Sequence, residues 1–276
     1  MQVVESISAL RALLSRRNGI AFVPTMGNLH DGHIALVREA RRRGGIVVVS
    51  IFVNRLQFGP REDFDRYPRT FAADCANLAK EGVDYLFAPD EKELFHVPQA
   101  TFVTPNAELA DILEGAFRPG YFRGVTTIIA KLFNIVQPEH ALFGKKDYQQ
   151  LRVIETTVEH LNMPIEIIAG DTVRADDGLA LSSRNNYLGP VERDEAPNLA
   201  RNMRGIEAAL RSNERNIAML EARAAAELQR RGWQVDYVTV RRRANLQSPT
   251  DASESLVVLG AARIGKTRLI DSLEVG

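Results

Sequence analysis

The stretch GIAFVPTMGNLHDGHIALVREARRR, Gly19 to Arg43, decides the fold. Ile20 to Val23 is a short apolar run of the kind that forms a parallel strand buried on both faces. Pro24 has no N–H for a sheet ladder and is expected to close that strand. Gly27 follows, where the chain must turn. From about Gly32 onward Ile34, Val37 and Ala40 recur at three-residue steps, which is the spacing of a helix packed on one face with Arg38, Arg41 and Arg42 outside. Strand, glycine turn and helix together point backbone N–H groups and the positive end of the helix dipole at the mouth of the turn, where phosphate binds well. His30 and His33 stand three apart at that mouth, so both imidazoles can face one anion. A lone histidine here would read as a helix cap or a solvated side chain. An HxGH pair directly after a strand and a glycine turn reads as a phosphate site.

A chain of 276 residues holds one large domain or two unequal ones. Its 45% hydrophobic and 25% charged content is that of a soluble globular protein. Lys+Arg 35 against Asp+Glu 35 leaves no basic excess, which counts against nucleic acid as a partner. The single cysteine, Cys75, can form neither an intramolecular disulfide nor a cysteine metal site, and reads as a buried small residue on a helix. MQVVESISAL lacks the basic start and apolar core of a signal peptide, and the longest apolar run, Ile46 to Val53, is too short to span a bilayer. A cytoplasmic protein with no membrane partner is expected.

Outward from the opening stretch, periodicity predicts a helix over Ser6 to Arg17, a second buried strand over Ile46 to Val53, a helix over Thr70 to Lys80 and a third strand over Val83 to Phe87. One helix between the first two strands implies a right-handed βαβ unit. The pattern continues with a helix over Gly124 to Val136, a strand over His140 to Phe143, a helix over Asp147 to Leu161 and a strand over Ile165 to Ala169. Such alternation implies a Rossmann-like, doubly wound parallel α/β sheet with ligands at the carboxyl ends of its strands. After the turn signal Asp176-Asp177-Gly178 the character changes: two long amphipathic helices, Pro190 to Ser212 and Asn216 to Arg230, precede strands at Gln234 to Val240 and Ser255 to Leu259. A smaller C-terminal α+β domain is expected, with the boundary near Asp171, so that residues 1–171 and 172–276 form the two domains.

Three further blocks carry chemistry. Asn54-Arg55-Leu56-Gln57-Phe58 lies at the end of the second strand, where Gln57 could hydrogen-bond both a hydroxyl and a carboxylate of a small polar acid. Phe143-Gly144-Lys145-Lys146-Asp147-Tyr148-Gln149-Gln150 repeats the strand, glycine and helix arrangement with a lysine pair at the helix start. Leu181-Ser182-Ser183-Arg184-Asn185 clusters hydroxyls and an arginine on a loop, a set suited to pyrophosphate but, unaided, simply a turn. Gly260 to Thr267 satisfies the P-loop expression GxxxxGK[ST], yet only nine residues follow Thr267, and the segment reads better as two hairpin strands turning at Gly265-Lys266.

PTMGNLHDGH resembles the signature of the nucleotidyltransferase superfamily related to class I aminoacyl-tRNA synthetases. Read with LQF, YPRT and FGKKDYQQL, the chain resembles more narrowly the pantoate–β-alanine ligases, densely to about Leu188 and more loosely beyond. The resemblance implies an ATP-dependent ligase that joins pantoate to β-alanine through pantoyl adenylate, with Mg²⁺, as a homodimer. It places Met26, His30, His33, Gly144, Lys146, Asp147, Val173, Leu181, Ser182, Ser183 and Arg184 at ATP, Gln57 and Gln150 at pantoate, and His33 in catalysis. The metal ligands stay unassigned, and the small domain is implied to act as a lid. The chain departs from the family pattern at Arg55 (usually proline), Tyr121 (histidine), Lys145 (often glutamate) and Leu181 (methionine). A nucleotidyltransferase that stops at a transferred nucleotide is the alternative: it would explain HxGH, but not LQF together with FGKKDYQQL.

Overall fold

Ile20–Thr25 is a central strand of a six-stranded sheet in a computed structural model that describes residues 1–43, 45–60, 62–250 and 254–276. Backbone contacts divide the chain into two units, Met1–Gly144 with Val153–Gly170, and Lys145–Arg152 with Asp171–Gly276. This division differs from a single boundary at Asp171 in one segment, since Lys145–Arg152 groups with the second unit.

The first unit contains β1 (Gln2–Val4), α1 (Ile7–Leu14), β2 (Ile20–Thr25), α2 (Asp31–Arg42), β3 (Ile46–Ile51), α3 (Phe71–Lys80) and β4 (Tyr85–Phe87). Three short helices follow, α4 (Glu91–Leu94), α5 (Ala107–Ala110) and α6 (Glu114–Phe117), then α7 (Tyr121–Val136), β5 (His140–Gly144), most of α8 (Tyr148–His160) and β6 (Glu166–Gly170). Every strand pair is parallel and the order is β1-β4-β3-β2-β5-β6. The chain winds outward from β2 through β3 and β4, then returns to place β5 and β6 on the other side of β2. The order therefore reverses between β2 and β5, and a crevice at the carboxyl ends of these two strands is where such sheets bind ligands. Ala21, Val23, Val47 and Val49 pack with Val37 and Ala40 in one core cluster, and Phe22 and Val48, which point to the other face, are buried too, which is why β2 and β3 read as unbroken apolar runs.

Pro24 does not end β2. The strand continues to Thr25, and Pro24 sits in register with Ser50 of β3. The Thr25 carbonyl accepts from Phe52 N at 3.1 Å, so Thr25 faces β3 and Pro24 faces the β5 side. Pairing with β5 ends at Phe22 and Ala141, so the N–H that proline lacks has no partner to lose there. Periodicity gives no sign of β1, a three-residue edge strand whose one buried side chain is Val4.

The second unit contains α9 (Pro190–Glu195), α10 (Asn198–Arg211), α11 (Ile217–Arg230) and an antiparallel sheet of β7 (Gln234–Arg242), β8 (Leu256–Ile264) and β9 (Thr267–Val275) in that order. The first of the two expected long helices is broken at Pro197, which cannot donate to the preceding turn. Leu199, Met203, Ile206, Leu220, Ala224 and Leu228 pack against Val238, Val240, Val258 and Leu269 of the sheet. The P-loop look-alike is the β8–β9 hairpin, turning at Gly265 in the left-handed region (φ 54°), so the expression is a coincidence of letters. Among the described residues no helix is long and apolar enough to cross a membrane.

Candidate active site

In the first unit, the turn after β2 is built on two successive left-handed residues, Gly27 (φ 80°) and Asn28 (φ 50°). His30 then caps α2: its Nδ1 accepts from Gly32 N at 3.1 Å, while the His30 N–H donates to His33 Nδ1 at 3.3 Å. The two rings lie 4.1 Å apart between centroids. With Nδ1 engaged as an acceptor, each neutral imidazole carries its proton on Nε2. Capping does not by itself exclude anion binding here, because the cap engages Nδ1 and keeps the proton on Nε2. Gly32 has a local reason too, since a Cβ there would fall 2.8 Å from the His30 ring.

Gln57 lies on a 3₁₀ turn, Arg55–Gln57, directly after β3. Its Oε1 accepts from Asn54 Nδ2 at 3.0 Å, and its Nε2 donates to the Met26 thioether at 3.2 Å. A thioether is a weak acceptor, so an incoming oxygen could displace it. Asn54 is buried and holds the turn, accepting from Leu56 N at 3.3 Å and donating to the Gly124 carbonyl at 3.2 Å. Gly124 is not a generic helix-start glycine: a Cβ there would lie 2.1 Å from the Leu56 carbonyl oxygen. Arg118 secures the far side, pairing through Nε and Nη2 with Glu62 and donating to the Gln57 carbonyl at 3.1 Å. Burial works against the Arg118 charge, but its hydrogen bonds to Glu62 together with the attraction of Tyr121, Glu62 and Glu114 outweigh that and raise its pKa above the ordinary guanidinium value. Tyr121, the departure from the family histidine, lies under the Arg118 guanidinium at 3.7 Å. Arg55, the departure from proline, stacks over Phe64 at 3.9 Å and pairs with Glu91 at 3.2 Å, so side-chain contacts brace the loop that a proline ring would stiffen.

In the second unit, Lys145–Asp147 form a 3₁₀ turn and α8 begins at Tyr148. Lys146 is 3.5 Å from the Asp147 carboxylate, and its side chain is largely covered. Lys145 pairs with Asp171 at 2.8 Å and Glu274 at 3.0 Å, and the Asp171 bond is the main cause of its raised pKa. Its charge is thus already matched by two carboxylates. Glu274 also accepts from the Tyr148 hydroxyl at 3.0 Å and from Arg243, while Ser272 Oγ donates to the Lys145 carbonyl at 2.7 Å. Gln150 is half-buried on the first turn of α8, and Gly144, which ends β5 in the first unit, has nothing within 4 Å of an added Cβ.

Val173 and Leu181 face each other across a hairpin, the Leu181 N–H donating to the Val173 carbonyl at 3.0 Å. Arg174 braces it through a bidentate pair with buried Asp271 at 2.7 and 2.9 Å. Ser182 caps the following 3₁₀ turn, Ser183–Tyr187, by accepting from Arg184 N at 3.2 Å. Ser183 is buried and Arg184 half-buried.

Sequence reading missed Asp74, which is 2% exposed within α3 and accepts from the N–H groups of Asn28 and Leu29. It also missed Asn54 and the Arg118–Glu62 clamp. Thr70 occupies the N-cap position of α3 without a side-chain cap bond and donates to Asp74 instead. Cys75 is half-buried on α3, and burial pushes its thiol pKa up. Among the described residues no cluster of three or more His, Cys, Asp or Glu side chains could hold a metal ion.

The sequence profile of a family described as pantoate-beta-alanine ligase matches residues 2–274. The chain is 44% identical to pantothenate synthetase from Thermus thermophilus, whose crystal structure matches with a TM-score of 0.95 over 100% of this chain and 99% of that one. It is 32% identical to pantoate-beta-alanine ligase from Francisella tularensis, crystallised with beta-gamma ATP and beta-alanine, at a TM-score of 0.80 over 100% and 98% of the two chains. A match that runs through both units leaves no separate module to explain, and the chain belongs to the pantoate–β-alanine ligase family.

Proposed function

We propose that the chain condenses pantoate with β-alanine in two steps, through a pantoyl adenylate. In the first, a pantoate carboxylate oxygen attacks the α-phosphorus of ATP, forming a P–O bond as the bond to pyrophosphate breaks. In the second, the unprotonated β-alanine amine attacks the acyl carbon, the C–O bond to AMP breaks, and the proton shed by nitrogen passes to solvent. The activation is needed because joining an acid to an amine is uphill in water.

Negative charge spreads over the phosphoryl oxygens in the first transition state. We assign its stabilisation to Nε2–H donors of His30 and His33, to Lys146 and to Arg184, with His33 the group that strengthens its hydrogen bond or donates its proton as charge develops. Met26, Gly144, Asp147, Val173, Leu181, Ser182 and Ser183 contact the nucleotide, largely through backbone groups and hydroxyls. Gln57 and Gln150 hold pantoate, which keeps the acyl adenylate beside the amine and makes the second step effectively unimolecular. Mg²⁺ as a companion of ATP belongs to this reading, with its protein ligands unassigned. A cytoplasmic homodimer is part of the same reading.

The observation that carries this reading is the reciprocal His30–His33 cap, which uses both Nδ1 atoms and so assigns both N–H donors to Nε2. Pantoate-dependent exchange of pyrophosphate into ATP tests it. In His33→Ala the exchange rate is expected to fall by about 10²–10³, the usual cost of one preorganised donor. Unchanged exchange refutes the role of His33. Release of AMP only when β-alanine is present separates the ligase from an enzyme that stops at a transferred nucleotide.

A further inference from the structure

We propose that Asp74 is the positioning residue of the His30–His33 turn, an inference that rests on the phosphate role given to those histidines. A carboxylate inside α3 and 2% exposed is costly unless its oxygens are matched. Here Oδ2 accepts from Asn28 N and Oδ1 from Leu29 N, both at 2.9 Å, and the Thr70 hydroxyl sits 3.1 Å from each oxygen. Gly27 and Asn28 are both left-handed, a conformation that turns successive backbone N–H groups toward one anion. The anion that fills this nest belongs to the protein. The same carboxylate crowds Gly27, where a Cβ would lie 3.2 Å from Asp74 Oδ2 and 3.1 Å from Ile51, on a backbone whose φ of 80° already favours glycine. Leu29 is covalently next to His30, so the carboxylate fixes where the HxGH segment begins. An apolar residue at 74 would pack in α3 equally well but would leave two N–H groups without an acceptor, so the charge serves the turn and not the helix.

The test is Asp74→Asn, which keeps the shape and places an amide against one of the two N–H donors. Pyrophosphate exchange is expected to fall by about tenfold or more through kcat, with the KM for pantoate unchanged. Consumption of supplied pantoyl adenylate by β-alanine is expected to persist near the native rate. Hydrogen-exchange protection at the Asn28 and Leu29 amides should drop while that of α3 persists. Native-like exchange, or equal loss of both half-reactions with global loss of protection, overturns the proposal. Should Asp74→Asn fail to fold, Thr70→Val removes only the hydroxyl that orients the carboxylate. It is expected to slow pyrophosphate exchange a few-fold and spare the adenylate half-reaction, and equal slowing of both, or of neither, overturns the proposal. Absence of pantoate-dependent exchange in the native chain would instead sink the functional reading itself.

Discussion

The turn at His30 and the turn at Lys146 are built on one plan and held by opposite means. Each follows a parallel strand and leads into a helix, and each presents basic side chains at that helix's start. The His30 turn is held by burial: a covered carboxylate takes two backbone N–H groups, two residues are left-handed, and the basic side chains themselves close the cap. At the Lys146 turn the holding contacts are ion pairs and hydroxyls around Lys145, Glu274 and Ser272, with one partner, Asp171, almost fully exposed. Dry hydrogen bonds leave a turn few alternatives, whereas an ion pair that reaches solvent, as the one with Asp171 does, is softer and screened by salt. The difference teaches that the turn at His30 is fixed by its own buried contacts, while the turn at Lys146 is adjustable.

The comparison extends to the Gln57 turn, which is held by buried Asn54 as the His30 turn is by buried Asp74 and is bonded to Met26 beside it, and it breaks most visibly if that turn tolerates intrusion. Gly124→Ala is the sharpest probe, because the added methyl would lie 2.1 Å from the Leu56 carbonyl oxygen and 2.8 Å from Gln57 N. Backbone must move, which costs about 1–3 kcal/mol by the usual measure of overpacking. Displacing Gln57 by even part of an ångström is expected to lower kcat/KM for pantoate by about tenfold or more while the KM for ATP holds. Thermal melting and steady-state kinetics on the variant check both expectations. A native-like Tm with native pantoate kinetics would show that this region is as pliable as the other.

What can be read in the sequence follows from the same contrast. The strands β2 and β3 and the helix α2 announce themselves because their burial is written in local periodicity: Ala21, Val23, Val47 and Val49 are fully covered, and Val37 and Ala40 line one helix face. The His30–His33 pair is legible because both residues and their glycine lie within one turn. Asp74 is not, because an acidic residue in an amphipathic helix reads as a solvated one, and nothing nearby tells that amides 46 and 45 positions upstream converge on it. Gly124 is hidden for a similar reason: its need is a carbonyl from a distant loop and not its own conformation. Lys145 reads as added charge for phosphate, and the carboxylates that occupy it come from 26 and 129 positions away. Local spacing shows which elements form, and long-range pairing decides which polar groups in them are already in use.

The softer side is tested by removing its central cation. In Lys145→Met the pairs with Asp171 and Glu274 are lost while Tyr148 and Arg243 still serve Glu274. Partly exposed pairs contribute little, so a loss of about 0.5–1 kcal/mol is expected at low ionic strength. That loss should shrink in about 1 M salt, where screening acts over roughly 3 Å. Because hydrogen bonding to Asp171 raises the Lys145 pKa above its ordinary 10.5, the contribution is fully present below that value and is lost as pH rises through the higher folded-state value. The Tm gap between native chain and variant should therefore stay level from about pH 7 to 10 and close only beyond the ordinary lysine range. A gap that is insensitive to salt, or that closes already near about pH 9, would mean that Lys145 is held by burial after all, and the two turns would no longer differ in kind.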